Sequence, residues 1–197
     1  MNSVTLAQLR AHSLLPVGLT LCVTLFALGG SELTAILRFD RAALLHDGQI
    51  WRLFTGHLVH LGWSHTGLNI AGLVLIWVLV GHRFDHWQWS AIITALMLGI
   101  SLGLLLFNPK LVWYVGLSGV LHGMLVAGAV ADIRSGDKTA WVLLILIAAK
   151  LAWEQLTGAL PGSEAAAGGA VIVDAHFYGG LVGLLLGGLF KPRTARP

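Results

Sequence analysis

Residues 116–123 read Gly-Leu-Ser-Gly-Val-Leu-His-Gly and open an apolar, glycine-rich stretch that runs to about residue 131. This stretch is shorter than the roughly 20 residues that a helix needs to cross a bilayer. A short span of this kind predicts a helix that begins inside the protein, where neighbouring helices shield its backbone from lipid. Its serine and histidine are then polar groups at membrane depth, and polar groups there need a structural or chemical reason.

Five further apolar stretches surround this one. Only 11% of the 197 residues are charged and the mean hydropathy is +0.81, whereas a soluble domain is about 25% charged. The composition therefore predicts one all-α membrane domain over residues 1–197 and excludes a water-soluble enzyme. The basic residues are scattered singly, which argues against a nucleic-acid partner. We predict six membrane spans, at about 14–30, 65–82, 88–107, 117–131, 139–158 and 174–190.

The distribution of Lys and Arg predicts the orientation of the six spans. Seven basic residues fall on the side that holds both termini and four on the other side. The positive-inside rule therefore places both termini in the cytoplasm. The long first loop, roughly 31–64, contains Trp51 and Trp63 and is predicted to lie in the membrane interface, although a simple extramembrane loop fits the pattern equally well. Arg10 and the apolar run after it also resemble a weak signal peptide, but we expect this run to be an anchor.

The second, fourth and sixth spans run in the same direction, so their first residues face the same, non-cytoplasmic side. Ser118, His176, His65 and Asn69 are therefore predicted to lie at similar depth. A neutral imidazole can take the proton of a serine hydroxyl near pH 7, which predicts Ser118 as nucleophile and His176 as base. His65, Asn69 and the backbone N–H of Ser118 are candidates for stabilising the oxyanion that the attack creates.

Small residues four apart form a flat stripe on each of two spans, and such stripes let helix backbones approach closely. They predict direct packing of the fourth span against the sixth, which would bring Ser118 and His176 within hydrogen-bonding distance. The stripes are Gly119, Gly123 and Ala127 on the fourth span and Gly179, Gly183 and Gly187 on the sixth.

Each of these residues also has a purely structural interpretation. Ser118 can be a helix N-cap, and His65 and Asn69 can tie helices together. Asp174 lies two residues from His176 on the same helix and faces another direction, so it is not included in the site. Lys150 and its neighbour four residues on, Glu154, are expected to neutralise each other, with a proton relay as the other interpretation.

A metal site is the other alternative from the histidines. His57, His60 and His65 cluster in the sequence, but no carboxylate stands at a suitable spacing and no HExxH motif occurs. We therefore predict no metal and no cofactor.

The motifs together resemble the rhomboid family of intramembrane serine proteases over nearly the whole chain. The resemblance implies a six-helix rhomboid-like bundle in which Ser118 matches the nucleophile, His176 the base, and His65 and Asn69 the oxyanion stabilisers. It is carried by Trp51-Arg52, His60, the pair His65 and Asn69, Gly116-Leu117-Ser118-Gly119, and Ala175-His176 followed by Gly179 and Gly183.

Within that family the chain looks most like the rhombosortases, a bacterial subgroup, because His122 stands where most rhomboids have an apolar residue. Lys150 and Trp153-Glu154-Gln155 point the same way. The resemblance implies an inner-membrane protease that opens toward the periplasm and cuts exported proteins at a C-terminal sorting signal made of Gly-Gly, a transmembrane helix and a basic tail. His122 can touch the site or bond to the fifth span; Gly116 and Gly119 are also expected beside the site.

Two other classes of function remain open at the level of the sequence. One is a catalytically silent rhomboid-like protein that binds transmembrane helices, although such proteins usually lack the serine or the histidine. The other is a transporter or channel, which predicts polar groups spread through the membrane depth. The polar groups here lie mostly at one end of their helices, which favours a site that opens to one side.

Overall fold

A computed structural model describes the backbone of residues 6–193 and the side chains of residues 14–193. This part of the chain is an all-helical bundle, with one 3-10 turn at Gly81–Arg83 and two short strands, β1 (Phe39–Asp40) and β2 (Trp113–Tyr114), which pair antiparallel. The helices are α1 (Leu6–Leu28), α2 (Gly30–Leu37), α3 (Arg41–His46), α4 (Arg52–Thr55), α5 (Trp63–Val80), α6 (His86–Phe107), α7 (Ser118–Arg134), α8 (Ala140–Thr157), α9 (Ser163–Ala167) and α10 (Val173–Leu189).

A helix lies over each of the six predicted spans, but length and hydropathy qualify fewer of them as membrane-crossing. Within the described residues three helices qualify: α5 continued through the 3-10 turn, α6 and α8. A fourth span results if α1 from Leu14 is joined to α2, although the two are bent by 116°. The helix α10 is apolar but has only 17 residues. The structure thus supports a helical membrane bundle with three or four candidate spans.

The helix α7 lies at the centre of this bundle. Eleven of its 17 residues are buried, and most of these are glycine, alanine or valine. Because small side chains leave room for neighbouring backbones, α5, α6, α8 and α10 can all pack around it. A helix surrounded in this way need not be long or strongly apolar, since protein and not lipid shields its ends.

The first loop is an ordered, hydrogen-bonded structure. Arg52 is buried and donates to the carbonyls of Ala35 at 3.0 Å and Arg38 at 2.8 Å and to the side chain of Gln49 at 2.7 Å. The hydroxyl of Thr55 donates to a further carbonyl of the α2 end. These bonds fold the loop back on itself, so it packs against the bundle as one unit.

Arg41 joins the same loop to the end of α6. The last carbonyls of a helix have no intrahelical donor, and here the guanidinium supplies one. It donates to the carbonyl oxygens of Leu104, Leu105, Asn108 and Leu111 at 2.8–3.0 Å. Its positive charge also lies at the negative end of the α6 dipole. The start of the loop is therefore fixed to the segment that leads from α6 to α7.

Candidate active site

Ser118 and His176 meet where α7 and α10 begin. Ser118 is the first residue of α7 and His176 lies in the first turn of α10. Ser118 Oγ is 2.9 Å from His176 Nε2, within the range expected of a nucleophile and its base. His176 is buried. This is the close approach that the predicted packing of the two helices requires.

The glycine stripes account for that approach. A Cβ added at Gly119 would lie 2.7 Å from the carbonyl oxygen of Ala175, and one added at Gly187 would lie 2.7 Å from that of Ala127. Additions at Gly179 and Gly183 would overlap the carbonyl oxygens of α7 directly. The two backbones are therefore in contact along most of their length, and larger residues would separate them.

The segment before Ser118 has a conformation that requires glycine. Gly116 has a φ of +121°, and a Cβ there would lie 2.9 Å from Cε1 of His65. Its N–H donates to the carbonyl of Gly56 at 3.0 Å, and its carbonyl accepts from the hydroxyl of Tyr114 at 2.6 Å. The first loop thereby fixes the backbone two residues ahead of the serine.

His60, predicted only as part of the family motif, also contacts this backbone. Its Nε2 accepts from the N–H of Leu117 at 3.4 Å. Burial, with a smaller contribution from neighbouring His65, lowers the pKa of His60 to about 3, so it is neutral at pH 7 and able to accept. The N–H groups at the start of α7 itself have no intrahelical partner.

His65 and Asn69 line the same cavity of about 330 Å³ as Ser118 and His176. His65 Nδ1 accepts from the N–H of Leu61 at 3.4 Å, so its proton belongs on Nε2. Asn69 Nδ2 donates to the carbonyl of His65 at 2.9 Å and keeps one further hydrogen. Both side chains can therefore donate into the cavity.

Glu154 contacts His176, a contact that the sequence does not predict. Its Oε2 lies 2.9 Å from His176 Nδ1 and 2.7 Å from Lys150 Nζ, and the carboxylate is buried. The predicted Lys150–Glu154 ion pair is present, but it also has His176 as a partner. Asp174, which the sequence places outside the site, accepts from the side chain of Asn108.

His122 makes both of the contacts that the sequence offers as alternatives, one with the site and one with the fifth predicted span. Its ring stacks on that of His176, with centroids 4.2 Å apart and planes 15° apart. Its Nδ1 donates to the carbonyl of Ser118 at 2.7 Å, and its Nε2 lies 2.6 Å from Nζ of Lys150 on α8. His122 thus touches the site and also bonds to the fifth predicted span.

The three histidines considered as a metal cluster do not converge on one point. His57 Nε2 faces the carbonyl of Met97 and the hydroxyl of Ser101, while the rings of His60 and His65 meet edge to face with centroids 4.9 Å apart. Because His57 is turned toward α6, the described part of the chain does not bring these three histidines together as one set of ligands.

A different set of residues has metal-like geometry. The ligand atoms of His122, Glu154 and His176 lie within 4.8 Å of one another. However, Lys150 Nζ approaches the same three atoms, at 2.6 Å, 2.7 Å and 3.3 Å respectively. The ammonium group of Lys150 therefore contacts all three side chains of this group.

Comparison with known proteins identifies the family. A family model described as the rhomboid domain matches residues 47–193, a range that holds every residue of the cavity described above. A comparison with curated proteins finds no match. Because the family model covers far more than half of the chain, the protein belongs to the rhomboid family, whose members are intramembrane serine proteases.

Proposed function

We propose that this protein is an intramembrane serine endopeptidase in which Ser118 is the nucleophile and His176 the general base. The observation that carries the proposal is the 2.9 Å hydrogen bond from Ser118 Oγ to His176 Nε2, at the wall of a cavity that His65 and Asn69 also line. A serine hydroxyl becomes nucleophilic when such a base accepts its proton.

The reaction follows from these positions. His176 Nε2 takes the hydroxyl proton as Ser118 Oγ attacks the peptide carbonyl, and the resulting oxyanion accepts from His65 Nε2–H, Asn69 Nδ2–H and the N–H groups at the start of α7. The intermediate then collapses, the C–N bond breaks, and His176 passes its proton to the leaving amine. Water, deprotonated by His176, releases the acyl group in the second half of the reaction.

The cavity suits a substrate that comes from the bilayer. Leu68, Gly72 and Ile76 of α5 form one wall and Ile147 of α8 another, while the segment around α9 lies at the same opening. This lining is largely apolar, and several lining side chains, such as Leu68, are exposed on the surface of the bundle. A transmembrane segment that unwinds at its end can therefore reach Ser118 between α5 and α8.

We further propose that the substrates are exported proteins whose C-terminal sorting signal combines Gly-Gly, a transmembrane helix and a basic tail. The support is the resemblance to rhombosortases. Three of the residues that carry it, His122, Lys150 and Glu154, form a connected group beside His176. The same resemblance and the Lys and Arg distribution favour the bacterial inner membrane, cytoplasmic termini and a site that opens toward the periplasm.

The test is cleavage of a co-expressed candidate substrate, with the new C-terminus read by mass spectrometry. Ser118→Ala and His176→Ala should each lower cleavage by about 10³-fold or more and abolish labelling by a fluorophosphonate probe. Ser135→Ala, at the opposite end of α7, and His46→Ala, an exposed residue of α3, are the matched controls and should leave both readouts unchanged. Folded wild-type protein that neither cleaves nor labels would instead indicate a silent helix-binding protein.

A further inference from the structure

We propose that Glu154 is a positioning residue that completes a Ser118–His176–Glu154 triad, and that Lys150 and His122 hold its carboxylate in place at membrane depth. This inference rests on the proposed proteolytic function. It extends the predicted serine–histidine pair by a third member contributed by α8.

The hydrogen bonds determine the tautomer of His176. Ser118 donates its hydroxyl proton to Nε2, so Nε2 carries no hydrogen and Nδ1 must carry it. Two groups lie near Nδ1, Glu154 Oε2 at 2.9 Å and Lys150 Nζ at 3.3 Å. An ammonium group has no lone pair to accept with, so Nδ1–H donates to Glu154. The carboxylate thus selects the tautomer that leaves Nε2 free to act as base.

Glu154 also bears the charge that the reaction requires. When His176 takes the proton of Ser118 it becomes an imidazolium, and Glu154 is the anion in contact with it. Only 3% of the surface of Glu154 and 5% of that of His176 are exposed, so water screens this interaction little. A hydrogen bond between two ionised groups is stronger than a neutral one, and it forms here as the transition state is approached.

Lys150 explains how a carboxylate can be held there. A single charge at membrane depth is costly, and a buried carboxylate without a partner is strongly destabilising. Lys150 lies one helical turn from Glu154 and donates to Oε2 at 2.7 Å, so the pair is neutral overall. The same oxygen accepts from both Lys150 and His176, which fixes its position between them.

His122 fixes Lys150 in turn. Because His122 Nδ1 donates to the carbonyl of Ser118, its Nε2 has a lone pair that accepts from Lys150 at 2.6 Å. Its ring also lies flat against that of His176. The helices α7, α8 and α10 each contribute to one connected network, so movement of any one of them would displace the base.

The test is the pH profile of kcat/KM. The titratable groups that face His176 are His122 on α7, Lys150 and Glu154 on α8, and His65 on α5. Glu154→Gln keeps the shape and an acceptor oxygen but removes the anion. We expect kcat to fall about 10- to 100-fold with little change in KM. The acidic limb of the profile should move to lower pH by about one unit, because His176 loses about tenfold in proton affinity.

Lys150→Met provides the complementary change, because it removes the cation and leaves the anion. We expect the acidic limb to move to higher pH, opposite to Glu154→Gln. A purely structural network would not produce opposite shifts. Since either single variant buries an unpaired charge and can fail to fold, the double variant Glu154→Gln with Lys150→Met, which buries none, is the fallback. We expect the kcat of the double variant to be at least about 10-fold below that of the wild type.

Asp174→Asn is the matched control. It removes a carboxylate two residues from His176 that bonds to Asn108 instead, and it should leave the profile unchanged. A wild-type rate and profile in Glu154→Gln, or a wild-type rate in the double variant, would overturn the triad. If the wild type itself shows no Ser118-dependent cleavage or labelling, the proposed function fails and not this inference alone.

Discussion

Gly179 of α10 faces the backbone carbonyl of Gly119 in α7 so closely that a methyl group at position 179 would overlap the oxygen atom. Gly119 directly follows Ser118, and Gly179 lies three residues, about one helical turn, after His176. This contact sets the separation of the two helices that carry Ser118 and His176, and so the length of the hydrogen bond between Ser118 Oγ and His176 Nε2.

Gly179→Ala should therefore impair both stability and cleavage. We expect a loss of about 1–3 kcal/mol in the free energy of unfolding, the usual cost of overpacking, and cleavage about 100-fold slower, because a displacement near 1 Å can cost that much. Thermal unfolding in detergent and a cleavage assay measure the two effects. Gly188→Ala, on the same helix with nothing within 4 Å, is the control. Equal behaviour of the two variants would refute the packing explanation.

Gly116→Ala tests the turn before Ser118. Both the φ of +121° and the nearby ring of His65 oppose a side chain there, so we expect lower stability and a large loss of fluorophosphonate labelling. Gly162→Ala shares the positive φ, at +81°, but has open space around it. It should show only the strain, of order 1 kcal/mol, with labelling retained. Matching losses of labelling would show that strain alone is responsible.

Asn69→Ala tests the oxyanion assignment. The variant removes one donor that lines the cavity with Ser118, and loss of a donor of this kind typically lowers kcat by about 10²–10³-fold. KM should change little, since the interaction forms mainly in the transition state. Steady-state kinetics separate the two constants. A raised KM with wild-type kcat would instead assign Asn69 to substrate binding.

His57 makes stability depend on pH. Burial lowers its pKa to about 4 from 6.5, so the unfolded chain binds a proton at a higher pH than the folded one. The free energy of unfolding therefore has its full value above about pH 6.5 and decreases as the pH falls toward about 4. The melting temperature of the wild type should therefore drop as the pH falls over this interval, and that of His57→Gln should drop less steeply. His46→Gln, an exposed site in α3, is the control. Parallel curves of melting temperature against pH for wild type and His57→Gln would contradict the role of His57.

The positions of the helices could be predicted because apolar runs and glycine spacing are local properties of the chain. The close approach of Ser118 and His176 follows from the same information, since small residues at spacing four indicate which faces can touch. The number of membrane spans could not be predicted in the same way, because α1 and α2 are bent by 116° near Gly29 and Gly30, where the predicted first span ends. Hydropathy alone does not reveal such a bend.

The contact between Glu154 and His176 could not be predicted from spacing alone. A separation of four residues reveals the ion pair of Lys150 with Glu154, but not which neighbouring helix supplies a further partner. One signal was available: Glu154 lies near the end of α8, which runs opposite to α7 and α10, so it shares the depth of Ser118. For His57 no signal existed, because its direction depends on how the first loop folds against α6.

The pairing of Lys150 with Glu154 within a single helix has a consequence for biosynthesis. Ribosomes deliver α8 to the membrane before α10, so His176 is not yet present when Glu154 first enters the bilayer. Because both charges lie on one face of α8 and neutralise each other, that helix can insert without help from later segments. His176 then arrives later and joins an ion pair that has already formed, so the contacts among Ser118, His176 and Glu154 are completed only when α10 packs in place.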